Sequence, residues 1–252
     1  QLRLDNLQAA AEVVRANSEL DVVLIEGPGE VGLRAAGLPA EDTLALIDQF
    51  QQDVATIAPT ADVMGFNAYP VPDSPLELPG QYVSTAKEVA PDAVILSVVQ
   101  GMGFGRISDG VDQGRAPTLD ETRFMAIDSV VSGADQVMWY GASSLELNNA
   151  EDRQLWQDIQ TVAGELAAIR DAITGDVVAV SGPSPVGVRA HQTNDGVVLF
   201  ITHRQGDENT VEILVDTPFS SVTALVGPEA SQTDQGIRIT LAAHGSAIVR
   251  LR

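Results

Sequence analysis

The hydrophobic period of this chain changes at Thr174-Gly175, and that change constrains its architecture more than any other feature. Upstream, apolar residues recur at spacings of three and four, interrupted by short apolar runs. Downstream they alternate. Two modules follow: residues 1–174, built from alternating helices and strands, and residues 175–252, built from strands alone. In the second module, short runs at 197–202, 211–215, 222–226, 237–241 and 247–251 are separated by turns such as Asn194-Asp195-Gly196 and Asp234-Gln235-Gly236. Such spacing predicts an antiparallel sandwich or barrel.

In the first module Leu4, Leu7, Ala11 and Val14 predict a helix, and the run 21–25 predicts a strand that ends in Glu26-Gly27-Pro28-Gly29. A second helix carries Ile47, Phe50, Val54 and Ile57, with Pro59 stopping it before a strand at 62–67. A helix at 82–90 precedes a strand at 93–99. Thr118-Leu119-Asp120-Glu121 is a capping-box pattern, starting a helix with Phe124, Ile127 and Val131 on its apolar face. Gly133 ends that helix before a strand at 136–140. A last helix sets Trp156, Ile159, Val162, Leu166, Ile169 and Ile173 on one stripe.

Alternating strands and helices imply parallel strands, whose functional groups lie just past their C-terminal ends. Those ends carry Glu26, then Asn67 and Tyr69, then Gln100, then Trp139 and Tyr140. Glu26 is the candidate acid or base, because it is the one carboxylate directly at a strand end; a solvated loop carboxylate is the alternative. Asn67, Tyr69, Gln100, Trp139 and Tyr140 are candidate binding residues, the aromatics offering flat faces to a ligand or packing the top of the sheet. Asp109, Asp112 and Glu146 are further acids on the following loops. Arg115 and Arg123 suit an anionic group, or an ion pair with Asp120 or Glu121.

A net charge of −21 without a Lys/Arg cluster argues against nucleic acid. No apolar stretch approaches the roughly 18 residues of a membrane span, so a soluble protein is expected. The absence of cysteine fits the cytosol as well as secreted or periplasmic proteins. Gly101-x-Gly103-x-Gly105 lacks the spacing and the following helix of a phosphate loop. His191, His203 and His244 have no metal-ligand spacing and read as surface or turn residues, so neither metal nor cofactor is expected. The chain starts at Gln1 with a helical pattern already running, so it is expected to begin inside a longer gene product or after a processing point.

The segments Ala61-Asp62-Val63-Met64-Gly65-Phe66-Asn67-Ala68-Tyr69-Pro70, Val98-Val99-Gln100-Gly101-Met102-Gly103-Phe104, 115–123 and Gly133-Ala134-Asp135-Gln136-Val137-Met138-Trp139-Tyr140 resemble the last strands of bacterial glycoside-hydrolase-like (β/α)8 barrels. The resemblance covers most of residues 1–173, and a β-sandwich follows the barrel in such proteins. It implies that these are the fifth to eighth barrel strands, with the first four absent. It also implies a carbohydrate ligand. Glycosidic cleavage ordinarily uses two carboxyl groups, and in the commonest barrel clan these end the fourth and seventh strands. The fourth is absent here and Gln100 ends the seventh, so that pair is not carried over.

Three readings stay open. The chain is part of a glycoside hydrolase acting on a poly- or oligosaccharide, or it is a degenerate barrel that holds a glycan without cleaving it, or two copies of a half-barrel close one barrel.

Overall fold

The computed structural model describes residues 2–17, 21–26, 40–103 and 115–252. Strands β1 (Val23–Glu26), β2 (Val63–Asn67), β3 (Val94–Gln100) and β4 (Gln136–Tyr140) form one parallel sheet in that order. Each follows a helix: α1 (Leu2–Asn17), α2 (Ala40–Ile57), α3 (Leu78–Val89) and α4 (Leu119–Val131). Helix α5 (Ala150–Ala167) and a short α6 (Arg170–Ile173) lead out of the sheet. After Ile57 the backbone tightens into a 3-10 turn containing Pro59, which has no N–H to continue the helix. The capping box forms in both directions: Thr118 Oγ1 accepts from the Glu121 N–H and Glu121 Oε2 from the Thr118 N–H. Gly133, at φ 107°, supplies the left-handed turn that ends α4.

The two faces of this sheet differ. On one, Met64, Phe66 and Ile95 pack against Phe50, Val54, Tyr82 and Val83 of α2 and α3, with Phe50 edge-on to Phe66 at 5.3 Å. On the other, Val63, Leu96 and Val98 form a small cluster beside Val23, Ile25 and Met138, which stay 47%, 49% and 37% exposed. Among the described residues β1 and β4 each have one neighbour and leave an open edge.

The remaining strands are β5 (Val177–Val178), β6 (Val180–Ser181), β7 (Val186–Thr193), β8 (Gly196–His203), β9 (Asn209–Val215), β10 (Val222–Val226), β11 (Ala230–Gln232), β12 (Gly236–Leu241) and β13 (Ser246–Leu251). They form two antiparallel sheets, β10-β13-β8-β7-β5 and β11-β12-β9-β6. Leu199, Ile201 and Val249 of one sheet share a core with Ile213, Ile237 and Ile239 of the other.

Strand β8 departs from alternation, for it is buried at every position from Val197 to His203. Its second face, Val198 and Phe200 with Ile248 of β13, packs on Ala126, Ile127 and Val130 of α4 and on Val162 and Leu166 of α5. Helix α4 therefore lies between the parallel sheet and the β8 sheet. Instead of the expected stripe, Thr122 and every residue from Phe124 to Val130 is buried. The last helix also differs from its expectation. It breaks after Ala167, and its buried stripe starts at Leu155 while Trp156 stays 36% exposed.

A polar latch crosses this apolar contact. Asp128 in α4, 1% exposed, accepts from Thr202 Oγ1 at 2.7 Å and from Arg204 Nε at 2.8 Å, while Arg204 also donates to Ser132 Oγ. Burial pushes the Asp128 carboxyl up, against the downward pull of Arg204 and Thr202.

Two histidines correct the sequence reading: His191 and His203 are 3% and 2% exposed, and only His244 lies in a turn. His191 is buried because its ring is satisfied on both sides. Nδ1 donates to the Gly175 carbonyl at 2.9 Å and Nε2 accepts from Arg189 Nε at 3.1 Å. Burial holds its pKa below the ordinary 6.5, against the Gly175 hydrogen bond. The unfolded chain thus takes up this proton first as pH falls. The stability held by neutral His191 is complete above about pH 6.5 and is lost below it. Urea melts of wild type and His191→Gln between pH 8 and 5 should show the wild type losing more stability than the variant on acidification.

No helix among the described residues is long and apolar enough to cross a membrane.

Candidate functional site

Register places the strand-end residues. Asn67 of β2 pairs with Val98 of β3, and Gln100 two residues on pairs with Tyr140 of β4. Paired residues of parallel strands share a face, so Asn67, Gln100 and Tyr140 lie on the face away from the helices. Trp139 pairs with Val99 and belongs to the helix side, where it packs beside Ala116, Leu155 and Ile159. Its indole Nε1 is buried with no hydrogen-bond partner among the described residues. Of the two readings of Trp139, packing is the one its surroundings support.

Tyr69 follows β2 and stacks on Tyr140, with ring centroids 5.4 Å apart and planes 17° from parallel. Asn67 Nδ2 donates to Tyr69 Oη at 3.0 Å, and Asn67 Oδ1 is buried with no partner among the described residues. Burial raises the Tyr69 pKa, opposed by the hydrogen bond from Asn67, so the phenol stays neutral. Tyr140 is 52% exposed, which leaves much of the aromatic pair open to solvent.

Gln100 is wholly buried, and its amide is fully used. Oε1 accepts from the Val71 N–H at 2.8 Å, and Nε2 donates to the Val71 and Met102 carbonyls, both at 2.9 Å. Gln100 therefore clamps the start of the Pro-rich segment after Tyr69 to the end of β3. A carboxylate in its place would accept from Val71 N–H but face two carbonyls with no proton to give them.

Glu26 closes β1 in register with Phe66, whose ring lies on the helix side; its own side chain lies outside the described residues. Asp109 and Asp112 also lie outside them. Glu146 lines a small cleft of about 170 Å³ beyond β4 with Met102, Gly103 and Ser144. Among the described residues, the open face at the ends of β2, β3 and β4 thus presents amides and aromatics and no carboxylate.

The arginines take ion-pair partners. Arg115 binds both oxygens of Glu121, one at 2.6 Å, and this contact with Thr118 holds the Glu121 pKa low although burial would raise it. Arg123 binds both oxygens of Glu165 at 2.8 Å and adds Asp120 at 3.1 Å. Glu165, near the C-terminal end of α5 and 42 residues away, was not visible as a partner in the local sequence.

Among solved structures, a variant of AmyP in complex with maltotriose superposes with a TM-score of 0.51 at 11% identity, over 99% of this chain and 68% of that one. Two more distant matches are a GH30 endoxylanase from Clostridium papyrosolvens (TM-score 0.46, 14% identity, 99% and 70%) and an α-amylase from Geobacillus thermoleovorans complexed with acarbose (TM-score 0.43, 9% identity, 84% and 65%). This chain spans 65% of the length of that amylase. No family model and no curated protein sequence matches it. The match to AmyP gives the chain a glycoside-hydrolase-like fold.

Proposed function

We propose that this chain is the C-terminal part of a carbohydrate-active (β/α)8 barrel: residues 1–174 supply the last four β/α units and residues 175–252 a β-sandwich. A glycan binds across the ends of β2, β3 and β4. The observation that carries the reading is the Tyr69–Tyr140 stack, in which Tyr140 is half exposed and Tyr69 is braced by Asn67. A flat aromatic surface beside amide and phenol groups suits the apolar ring face and polar rim of a sugar. Two features support the partial barrel. Both edges of the parallel sheet are open among the described residues, and Val23, Ile25 and Met138 are exposed on its unhelical face. A parallel sheet is ordinarily covered on both faces and closed or protected at its edges. Further barrel strands between β4 and β1 would satisfy both requirements.

As a hydrolase, the protein would need two carboxyl groups about 5 to 10 Å apart. Glu26 is the candidate that this chain offers at a strand end, and its partner would come from the rest of the barrel. The run of amides and aromatics at the described strand ends favours a second reading for this chain taken by itself, that it holds a glycan without cleaving it.

Calorimetric titration with maltotriose and xylotriose tests the site. Tyr140→Ala should weaken binding at least tenfold, equivalent to about 1.4 kcal/mol, whereas Trp139→Ala should lower thermal stability and leave affinity within twofold. Equal affinity in wild type and Tyr140→Ala would remove the strand-end site.

A further inference from the structure

The Pro-rich segment after Tyr69 has a second side. There a cleft of about 420 Å³ opens between Val71, Pro72, Pro75 and Glu77 of the first part of the chain and Gln205 and His244 of the second. That volume lies in the range of small-ligand sites. Glu77 is the unusual group in it. Its side chain is 8% exposed, and Oε1 lies 3.4 Å from His244 Nε2. A buried carboxylate is costly unless donors are supplied to it, and a ligand hydroxyl in the cleft can supply one. The neighbouring carboxylate, Glu121, is by contrast fully engaged by Arg115 and Thr118 and forms a self-satisfied wall. His244 is held in place by an edge-on contact with Phe124 at 5.4 Å.

We infer that this cleft is a second carbohydrate-binding site, an inference that rests on the glycan reading of the strand ends. The chemistry selects a neutral, hydroxyl-rich ligand. Sugar hydroxyls can donate to Glu77 and accept from the Gln205 amide at the rim, while Pro72, Pro75 and Val71 offer an apolar wall to ring C–H groups. The two sites share a wall: Gln100 grips both backbone groups of Val71, so the segment lining the cleft is anchored to the end of β3.

The chain has three histidines, and His191 and His203 are buried and do not line the cleft, so proton NMR resolves the His244 ring. Maltotriose and xylotriose are titrated at constant pH into the wild-type chain, Glu77→Gln, Gln205→Trp and Tyr140→Ala, each checked for folding by its thermal melt. The expected result with at least one sugar is a saturable shift of the His244 Cε1 proton with His191 and His203 unmoved. That shift should persist in Tyr140→Ala, and Glu77→Gln and the cleft-filling Gln205→Trp should each weaken it at least fivefold. Glu77→Gln and Gln205→Trp titrating like wild type would overturn the inference. Movement of the Tyr140 ring signals with His244 still would overturn it and leave the strand-end site standing. No movement of either would overturn both.

Discussion

Gln100→Leu is expected to cost on the order of 4 kcal/mol, more than any other single change near the strand ends. Leucine fills a similar volume but makes none of the three hydrogen bonds. The Val71 N–H, the Val71 carbonyl and the Met102 carbonyl would then lose partners in a wholly buried place. Each orphaned group costs about 1 to 3 kcal/mol, and partial exposure of the loosened segment returns some of it. The effect should also reach binding, because Val71 lies two residues after Tyr69 and loss of the clamp frees the chain that positions the aromatic stack. Gln100→Glu should fare no better. Its carboxyl, buried against two carbonyls, has a folded pKa raised above the unfolded value of about 4.3, so stability is retained below that pH and lost as pH rises through the folded pKa. Chemical melts at pH 4 and pH 7 measure both variants. A cost below about 1 kcal/mol for Gln100→Leu would contradict the clamp.

Arg204→Met is expected to cost about 2 to 3 kcal/mol at pH 7. Breaking a buried ion pair from the cationic side leaves Asp128, 1% exposed, with Thr202 as its remaining donor. The figure sits below the usual range for buried pairs because the Arg204 side chain is 36% exposed and is already partly solvated. Two controls identify the mechanism. Burial already raises the Asp128 pKa, and removing Arg204 raises it further. The variant's deficit should therefore shrink as pH falls toward the ordinary aspartate value of about 3.8 and grow above it. Adding Asp128→Asn should recover at least half of the loss in a double-mutant cycle. The latch joins α4 to β8, so its failure should be felt across the whole chain in a single transition.

Much of the fold is legible in periodicity, since the strand 136–140 and the capping box at Thr118 occur where the sequence predicts them. The errors share a cause, that local patterns do not report what covers an element from outside. Strand β8 reads as one-faced, yet α4 and α5 bury Val198 and Phe200 on its second face. The same contact buries α4 on all sides, and Asp128, a lone acid within an apolar run, was the signal of a polar partner across that contact. His191 and His203 read as surface residues because their partners, Gly175 and Ala242, lie 16 and 39 residues away in sequence. Short strands such as β5 and β6, two residues each, carry no periodicity to read. At the site, strand-end position was legible but face was not. One residue of register separates Tyr140 on the open face from Trp139 among the helices. Glu77 was invisible because its contact, His244, comes from the other end of the chain.

The central claim is that the ends of β2, β3 and β4 form a glycan-binding surface on a glycoside-hydrolase-like sheet. Hydrogen exchange followed with and without saturating oligosaccharide tests it most directly. Exchange should slow in the segments 67–72, 100–103 and 140–145, with the outer sheet β11-β12-β9-β6 unchanged. Protection confined to that outer sheet, or absent from all three strand-end segments while the sugar is bound, would contradict it.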